Sequence, residues 1–358
     1  MDLIILNTDL NPIAVIDSYE SLIWTDRYDK YGDFELYTSI GDDVLTLFKN
    51  DYYVVNQNSD HVMIIEKLLI KSDIENGTHI TISGRSLESI LDRRIIWNQI
   101  ILDGNLQNGI KQLLRECITS PTDENRWIAN FIFEESTDPA ITGLILKAQY
   151  AGDNLYNVIQ KICSDNKIGF KITINDNNQF VFKLYAGTDR SYDQTENQYV
   201  VFSPDFDNLL SSNYIESKTA FKNVALVLGE GQEYSNRTSV IIDDGSSGLN
   251  RREMLVDAKN LSTTFNGTTT IDSDDYNSQL RQKGKEELSK TDDIASLEGE
   301  AETTVIFRYG EHFFTGDIVQ LVDEYGHEGK ARVIEFVTSE DESGISTYPT
   351  FKTIEEGE

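Results

Sequence analysis

The stretch that decides the fold is Gly77-Thr-His-Ile-Thr-Ile-Ser-Gly-Arg-Ser-Leu-Glu-Ser-Ile-Leu-Asp-Arg-Arg-Ile-Ile96. Asn76-Gly77 favours a hairpin turn, because both residues tolerate a positive φ. The alternation of threonine and isoleucine with other polar residues up to Ser83 predicts a β-strand. We expect Gly84 to end this strand. We expect Ser86 to cap a short helix whose leucine and isoleucine side chains share one face.

A second stretch near the C-terminus continues the β-structure. It reads Gly316-Asp-Ile-Val-Gln-Leu-Val-Asp-Glu-Tyr-Gly-His-Glu-Gly-Lys-Ala-Arg-Val-Ile-Glu-Phe336. Residues 318–322 and 330–337 predict two strands with a turn at Asp323–Gly326 between them. Residues 345–354 predict a third strand, so the C-terminus should form a β-meander.

Composition and charge limit what the protein can do. The chain has 358 residues, of which 39% are hydrophobic, so it is long enough for two or three domains with their own cores. Its formal net charge of −30 argues against nucleic-acid binding or adhesion to an anionic membrane, since both need a positive field. The N-terminus lacks the basic region of a signal peptide, and no apolar run is long enough to span a membrane. We expect the chain to fold in a cytoplasm.

The pattern along the chain predicts a β-dominated α+β protein in three regions. Residues 1–96 are mostly short strands and predict a β-barrel-like domain. Residues 97–205 predict an inserted α+β domain, with helices capped at Asn105 and at Asp153 or Asn154. Residues 206–358 predict a second β-barrel-like domain with one helix at about 273–290 and the terminal meander.

No constellation of residues predicts an active site, a cofactor site or a metal site. The four histidines are scattered, and no pair of cysteines or histidines has zinc-ligand spacing. Cys117 and Cys163 each lie on the apolar face of a predicted helix, which favours buried, inert thiols. Asp272-Ser-Asp-Asp275 departs from a calcium loop, because position six is not glycine and position twelve is not glutamate. We therefore predict that the protein is not an enzyme.

Arg85, Arg93 and Arg94 form a small basic island in this acidic sequence. The simpler interpretation is that these arginines pair with local carboxylates, because most charge clusters lie on solvated surfaces. The other is that they lie at a subunit or domain interface. These three residues are the candidate site residues of the chain.

Taken in order, several short motifs resemble the hub proteins at the tail tips of phages and prophages. This family includes the N-terminal hub region of the tail-associated lysins of siphophages, and it is similar in architecture to the baseplate hub of T-even phages. The resemblance covers nearly the whole chain and rests on Gly32-Asp-Phe-Glu-Leu36, Ser83–Arg94, Leu280–Leu288, Gly316-Asp-Ile-Val319 and Tyr348-Pro-Thr-Phe351.

The resemblance implies a structural homotrimer in the tail of a virion, assembled in the cytoplasm of the host bacterium. Two barrel-like domains from each subunit would form a ring that adapts a sixfold tail tube to a threefold tip and lets DNA pass. The implied partners are the distal tail protein at the end of the tube, the tape-measure protein and a separate fibre or lysin. An acidic wall would suit a DNA conduit, because it repels the phosphate backbone.

Two other functions stay open from the sequence. A carbohydrate- or receptor-binding tail module is the alternative, since Trp24, Trp97 and Trp127 and the many tyrosines could stack on sugars. Large aromatic residues are more often part of a core, and no pattern groups these on one strand face. A hydrolase is less favoured still, because the sequence shows no nucleophile or metal motif.

Overall fold

The computed structural model of the protein describes residues 1–40, 44–73, 77–211, 213–291, 294–298, 306–322, 324 and 328–354. The hairpin turn expected at Asn76 and the turn expected at Asp323–Gly326 fall wholly or partly outside these residues, as does the histidine at position 327.

Seven strands and one short helix form the N-terminal region. They are β1 (Leu3–Leu6), β2 (Pro12–Ile16), β3 (Ser21–Arg27), β4 (Asp33–Ser39), α1 (Val44–Leu47), β5 (Tyr53–Asn56), β6 (Val62–Asp73) and β7 (Gly77–Ser86). Trp24, Phe34 and Met63 belong to one buried core beneath these strands. The alternation of the strands places such side chains on one face, which becomes the buried one.

Gly84 does not end its strand, contrary to the expectation from sequence. Strand β7 continues through Gly84 to Ser86, and Gly84 lies opposite Ile65, where β6 has a bulge before Lys67. A Cβ atom at position 84 would lie 1.7 Å from the carbonyl oxygen of Ile64. Glycine is needed here because the bulged backbone approaches too closely for any side chain.

The middle region contains both helices and strands. Its elements are β8 (Ile100–Asn105), α2 (Leu106–Leu114), β9 (Phe131–Glu134), α3 (Pro139–Thr142), β10 (Ile145–Tyr150), α4 (Leu155–Asp165), β11 (Gly169–Ile174) and β12 (Phe180–Tyr185). The side chains of Asn105 and Asn154 accept hydrogen bonds from the N–H groups of Asn108 and Asn157 at 3.1 Å each. Both predicted caps therefore form.

The C-terminal region returns to strands. Its elements are β13 (Val201–Phe202), β14 (Asn213–Ser217), β15 (Val224–Leu228), β16 (Ser239–Asp243), β17 (Glu253–Asp257), β18 (Thr264–Phe265), β19 (Thr269–Thr270), α5 (Ser273–Ser289), β20 (Ile294–Glu298), β21 (Ile318–Val322), β22 (Glu328–Asp341) and β23 (Gly344–Ile354). Strands β21, β22 and β23 pair antiparallel in sequence order, which confirms the predicted meander.

The described strands do not close into two barrels. Instead, strands from both ends of the chain share one sheet of thirteen strands, whose main path runs β14-β20-β23-β22-β3-β4-β7-β6-β5-β1-β2. Strand β22 makes this possible. It is long enough to pair with β21 and β23 and, over Glu335–Asp341, with β3. The observed architecture is thus β-dominated, with an open sheet in the described residues.

A smaller unit lies within the C-terminal region. Strands β16, β15 and β17 form a separate three-stranded sheet with β15 in the centre. One face of this sheet packs on α5, around Val227, Val256 and Leu280. Helix α5 in turn contacts the middle region, where Gln149 Nε2 donates to Gln279 Oε1 at 2.7 Å. The other face of the sheet therefore points away from α5.

Among the described residues, no helix has the length and apolar character that crossing a bilayer requires.

Candidate functional site

A cavity lies where the three regions of the chain meet. It has a volume of about 680 Å³ and is lined by the start of the N-terminal sheet, the segment 56–61, the end of β12 and the segment 308–317. Its size is that of a small-molecule pocket, so its chemistry decides what it can do. The ionisable groups that line it are Asp26, Asp60, His61, Lys171, Tyr185, Arg308, Tyr309, Glu311 and Asp317.

Asp26 is a buried carboxylate whose oxygens are fully used. It accepts hydrogen bonds from Trp24 Nε1 at 2.9 Å, from Ser59 Oγ at 2.7 Å and from Tyr309 Oη at 2.9 Å. Tyr309 comes from the C-terminal region, so this carboxylate ties the two ends of the chain together. These three donors give the Asp26 carboxylate a structural role.

His61 and Glu88 form a buried pair beside this carboxylate. His61 Nδ1 lies 3.4 Å from Glu88 Oε1, and both side chains are buried. Burial opposes the charge on the ring, but the nearby carboxylates of Glu88 and Asp26 outweigh it and raise the pKa of His61 to about 9. Burial likewise opposes the charge on Glu88. The His61 ring and the hydrogen bonds of the carboxylate outweigh that effect and lower the pKa of Glu88.

Glu88 also joins the N-terminal sheet to the middle region. Its Oε1 accepts the N–H of Ile172 in β11 at 2.7 Å, and its Oε2 accepts the hydroxyl of Ser86. The sequence predicts that the Ser86 side chain caps the following helix, but the side chain makes no capping hydrogen bond there. Its hydroxyl bonds Glu88 and accepts the N–H of Gly32 at 2.7 Å, and the segment Leu87–Arg93 is a 3₁₀ helix. The junction of Asp26, His61 and Glu88 thus holds three regions together.

The other residues weighed in the sequence analysis as reactive or metal-binding groups, the two cysteines and Asp272, are buried or cap a helix. Both cysteines are buried, and burial raises the pKa of each thiol. Asp272 accepts the N–H of Asp274 at the start of α5, so it caps a helix. In the part of the chain that the structure describes, no group of three or more histidine, cysteine, aspartate or glutamate side chains could hold a metal ion.

Arg85 pairs with local carboxylates. Its Nε and Nη2 atoms donate to the two oxygens of Glu66 at 2.8 Å each, and its Nη1 atom lies 3.1 Å from Asp92. The guanidinium also lies 4.9 Å from the centre of the Tyr31 ring. Two carboxylates of the same chain therefore lie beside the Arg85 guanidinium, as the simpler interpretation from sequence expects.

Arg93 and Arg94 have different surroundings. Arg93 Nη2 lies 3.3 Å from Asp51 in an exposed pair. Arg94 donates from Nε and Nη2 to the carbonyl oxygen of Arg126 at 3.2 and 3.1 Å. The structure thus places the three arginines around the helix Leu87–Arg93 without gathering them into one cluster. An interface role for Arg85, Arg93 and Arg94 stays a prediction.

Sequence reasoning missed the residues of the junction. The sequence offers one weak signal for Asp26 and Glu88, because each is a carboxylate within or beside a run of apolar residues. Their partners lie far away in sequence, for example Tyr309 for Asp26 and Ile172 for Glu88, so no local pattern could pair them. Of the three tryptophans proposed to stack on sugars, Trp24 is buried, whereas Trp97 and Trp127 are exposed.

The chain is similar to known proteins in sequence and in fold. A family model described as "Siphovirus ReqiPepy6 Gp37-like protein" matches residues 2–351. The search of curated proteins finds no match.

Three solved structures of tail proteins have a similar fold. The tail protein from Neisseria meningitidis MC58 is 12% identical, with a TM-score of 0.60 over 99% of this chain and 97% of that chain. The prophage MuSo2 43 kDa tail protein from Shewanella oneidensis is 11% identical, with a TM-score of 0.58 over 98% of each chain. The prophage tail protein gp18 from Listeria monocytogenes EGD-e is 12% identical, with a TM-score of 0.55 over 100% and 96% of the two chains.

Proposed function

Because this chain belongs to the family of Siphovirus ReqiPepy6 Gp37-like proteins, we propose that it is the hub of a phage or prophage tail tip. Three copies form a ring that adapts the sixfold tail tube to a threefold tip and lets DNA pass. The family and the similar structures are structural tail proteins and not enzymes, so the chain is a component of the virion tail. Assembly takes place in the cytoplasm of the host.

The open sheet is the observation that supports the ring. Among the described strands, β2 pairs only with β1, and β14 pairs only with β20, so these two strands stand last on the main path of the sheet. Ile13 and Val15 are exposed on β2, and Ile215 is exposed on β14. An apolar free edge invites pairing with another chain and is normally covered. Edges at both ends of one sheet would allow each copy to join two neighbours.

The two ends of the chain would supply the two hub units of each subunit. The N-terminal unit, within residues 1–96, and the C-terminal unit, within 206–358, share the long sheet through the pairing of β22 with β3. The middle domain, residues 97–205, would decorate the outside or the bottom of the ring. The distal tail protein, the tape-measure protein and a separate fibre or lysin are the proposed partners.

The net charge of −30 supports passage of DNA. Fixed negative charge prevents the duplex from binding to the wall, since tight and salt-dependent binding needs lysine or arginine against the phosphates. The same charge opposes the approach of three copies at low salt. Moderate salt should therefore favour assembly by screening this repulsion.

Light scattering and negative-stain microscopy test the ring. We expect a trimer with a central hole, alone or with the distal tail protein. Val15→Lys places a charge on the free edge β2 and should weaken trimer formation at least tenfold. Ile23→Lys is the matched control, because Ile23 is also exposed but β3 has a neighbour on each side at this position. A monomer under every condition, with the distal tail protein included, would contradict the proposal.

The exposure of Trp97 and Trp127 favours one alternative, a carbohydrate- or receptor-binding tail module. Such a module would retain purified cell-wall polysaccharide in a sedimentation assay. Substitution of both tryptophans by alanine would abolish that retention. The ring proposal expects no retention by the wild-type protein.

A further inference from the structure

An exposed patch of tryptophan and arginine lies beside the helix Leu87–Arg93. We define this Arg–Trp patch as Arg94, Ile95, Trp97, Arg126 and Trp127. Trp97 and Trp127 are 56% and 59% exposed, which is unusual for side chains with this much apolar surface. The Arg126 guanidinium lies 4.2 Å from the centre of the Trp97 ring, so the two side chains form a stacked cationic and aromatic surface.

The guanidinium groups of this patch lack carboxylate partners. Arg126 Nη2 donates to the carbonyl oxygen of Ile95 at 2.5 Å, and Arg94 donates to the carbonyl oxygens of Arg126 and Arg93. Among the described residues, neither arginine has a carboxylate within 4.0 Å. Burial and the nearby charges of Arg126 and Arg93 lower the pKa of Arg94. In a chain with 61 acidic residues, two adjacent uncompensated guanidinium groups are a distinctive local surface.

The three-stranded sheet of the smaller unit has a complementary surface. Leu226 in β15 is directly opposite Ile241 in β16 and Leu255 in β17, so the three side chains form one row. Ile241 and Leu255 are 54% and 58% exposed, and the row lies on the face that α5 does not cover. We call this row the open sheet face. Exposed aliphatic residues on both outer strands, with the half-buried Leu226 between them, are typical of a docking surface.

Carboxylates surround the open sheet face. Asp243 and Glu253 lie at one end of the outer strands, where both pair with Arg251 at 2.8 and 2.6 Å. Asp257 lies at the other end and pairs with Arg237. These three carboxylates already pair with arginines, and Lys259 lies near Asp257, but each is at least 40% exposed and has oxygen lone pairs left to accept further donors. The surface is therefore an apolar row with an acidic rim.

We propose that the Arg–Trp patch of one copy docks on the open sheet face of the next copy. Tryptophan and isoleucine would cover the aliphatic row, and the free guanidinium groups would meet the carboxylate rim. Pairing of the patch with itself across a twofold axis would leave its guanidinium groups without carboxylates, whereas the open sheet face supplies them. Two different surfaces that fit each other give a head-to-tail contact, which closes as a ring or continues as a filament. The inference rests on the ring proposed above and names one of its contacts.

Site-directed crosslinking tests the contact directly. Asn98→Cys places a thiol next to Trp97, and Ser239→Cys places one on the outer side of β16. Both positions are exposed, whereas the native cysteines Cys117 and Cys163 are buried and should not react. With a short bis-maleimide, we expect a covalent dimer when the two variants are mixed and none with either variant alone. A dimer from Asn98→Cys alone would show a symmetric contact and overturn the proposal.

Charge variants test the same contact without crosslinking. Arg126→Glu should weaken self-association at least tenfold, because it reverses a charge at the centre of the patch. Leu255→Asp should do the same from the other side. Arg115→Glu is the control, since Arg115 is exposed and pairs only with its neighbour Glu116 in the described residues. Circular dichroism of each variant separates loss of contact from loss of fold.

The outcomes distinguish this inference from the ring itself. If the wild-type protein forms trimeric rings while Arg126→Glu and Leu255→Asp assemble normally, the named contact is wrong and the ring stands. If the wild-type protein never assembles, both proposals fail. Binding of duplex DNA or wall polysaccharide by the wild-type protein that is lost in Arg126→Glu would assign the patch to another ligand and overturn the inference.

Discussion

The buried junction and the Arg–Trp patch differ in the partners of their charged side chains. At the junction, Asp26 and Glu88 are buried, and several donors from other regions of the chain satisfy their oxygens. At the patch, Arg94 and Arg126 contact backbone carbonyl oxygens and aromatic surface but no carboxylate of the described residues. At the junction, His61 lies beside Glu88 and both carboxylates accept donors from within the chain, whereas the patch leaves charge for a partner.

From this difference we expect the junction to affect mainly the stability of one chain and the patch to affect mainly the assembly of several copies. A buried charge that loses its partner costs several kcal/mol, so the junction should control whether the regions of one chain stay together. An exposed charge contributes little to the stability of one chain. An exposed charge contributes to binding when a partner chain removes it from water. We therefore expect the patch to determine how copies associate.

The largest effect expected is at Glu88. Glu88→Gln keeps an acceptor for the N–H of Ile172 but removes the charge beside His61, so unfolding free energy should fall by about 3–5 kcal/mol. Urea denaturation followed by tryptophan fluorescence measures this loss.

The surface pair of His79 and Glu20 is the matched control. His79 Nε2 lies 3.3 Å from Glu20 Oε1, almost the same separation as in the buried pair, but both side chains are partly exposed. Glu20→Gln should cost less than about 0.5 kcal/mol. Equal losses for Glu88→Gln and Glu20→Gln would mean that burial does not set the strength of the junction.

The next largest effect is a loss of stability in alkaline solution. The folded protein holds the His61 proton more tightly than the unfolded chain does, since its pKa is raised from 6.5 to about 9 by Glu88 and Asp26 despite burial and the nearby Lys171. This contribution is complete below about pH 6.5 and is lost as pH rises through about 9. We expect a loss of about 2 kcal/mol between pH 7 and pH 10 from this residue.

The comparison with two variants isolates this contribution from other groups that titrate at high pH. His61→Gln should show a smaller fall in unfolding free energy between pH 7 and pH 10 than the wild-type protein. His79→Gln should fall as much as the wild-type protein does. If His61→Gln keeps the full pH dependence, the ion pair of His61 is not its source.

The smallest losses of unfolding free energy are expected for substitutions of two arginines, Arg85 and Arg126. Arg85→Gln should cost about 1–2 kcal/mol, because the side chain pairs bidentately with Glu66, contacts Asp92 and covers Tyr31. Arg126→Gln should cost only about 0.5 kcal/mol in the monomer, since it loses one carbonyl contact and its stacking on Trp97. A monomer destabilised more by Arg126→Gln than by Arg85→Gln would contradict the division between charges that pair within the chain and charges that are left for a partner.

Much of the local structure could be predicted from the sequence. The caps at Asn105 and Asn154, the C-terminal meander and the burial of both cysteines depend on short-range patterns, and all are present. The family resemblance is confirmed by the match over residues 2–351. The strand break at Gly84 was wrong, because a glycine can serve a close backbone approach as well as a break.

The sequence by itself determined the strands and helices, the β-dominated class and the acidic charge, since each depends on periodicity or composition that neighbouring residues carry. Only the tertiary structure decided that the two ends of the chain form one open sheet through β22 and β3, rather than two barrels. It also decided which charges find a partner: Glu88 lies beside Ile172 and His61, while Arg126 contacts the Trp97 ring and the carbonyl oxygen of Ile95 and no carboxylate of the described residues. Such pairings join residues distant in sequence, and burial, not residue type, sets their strength.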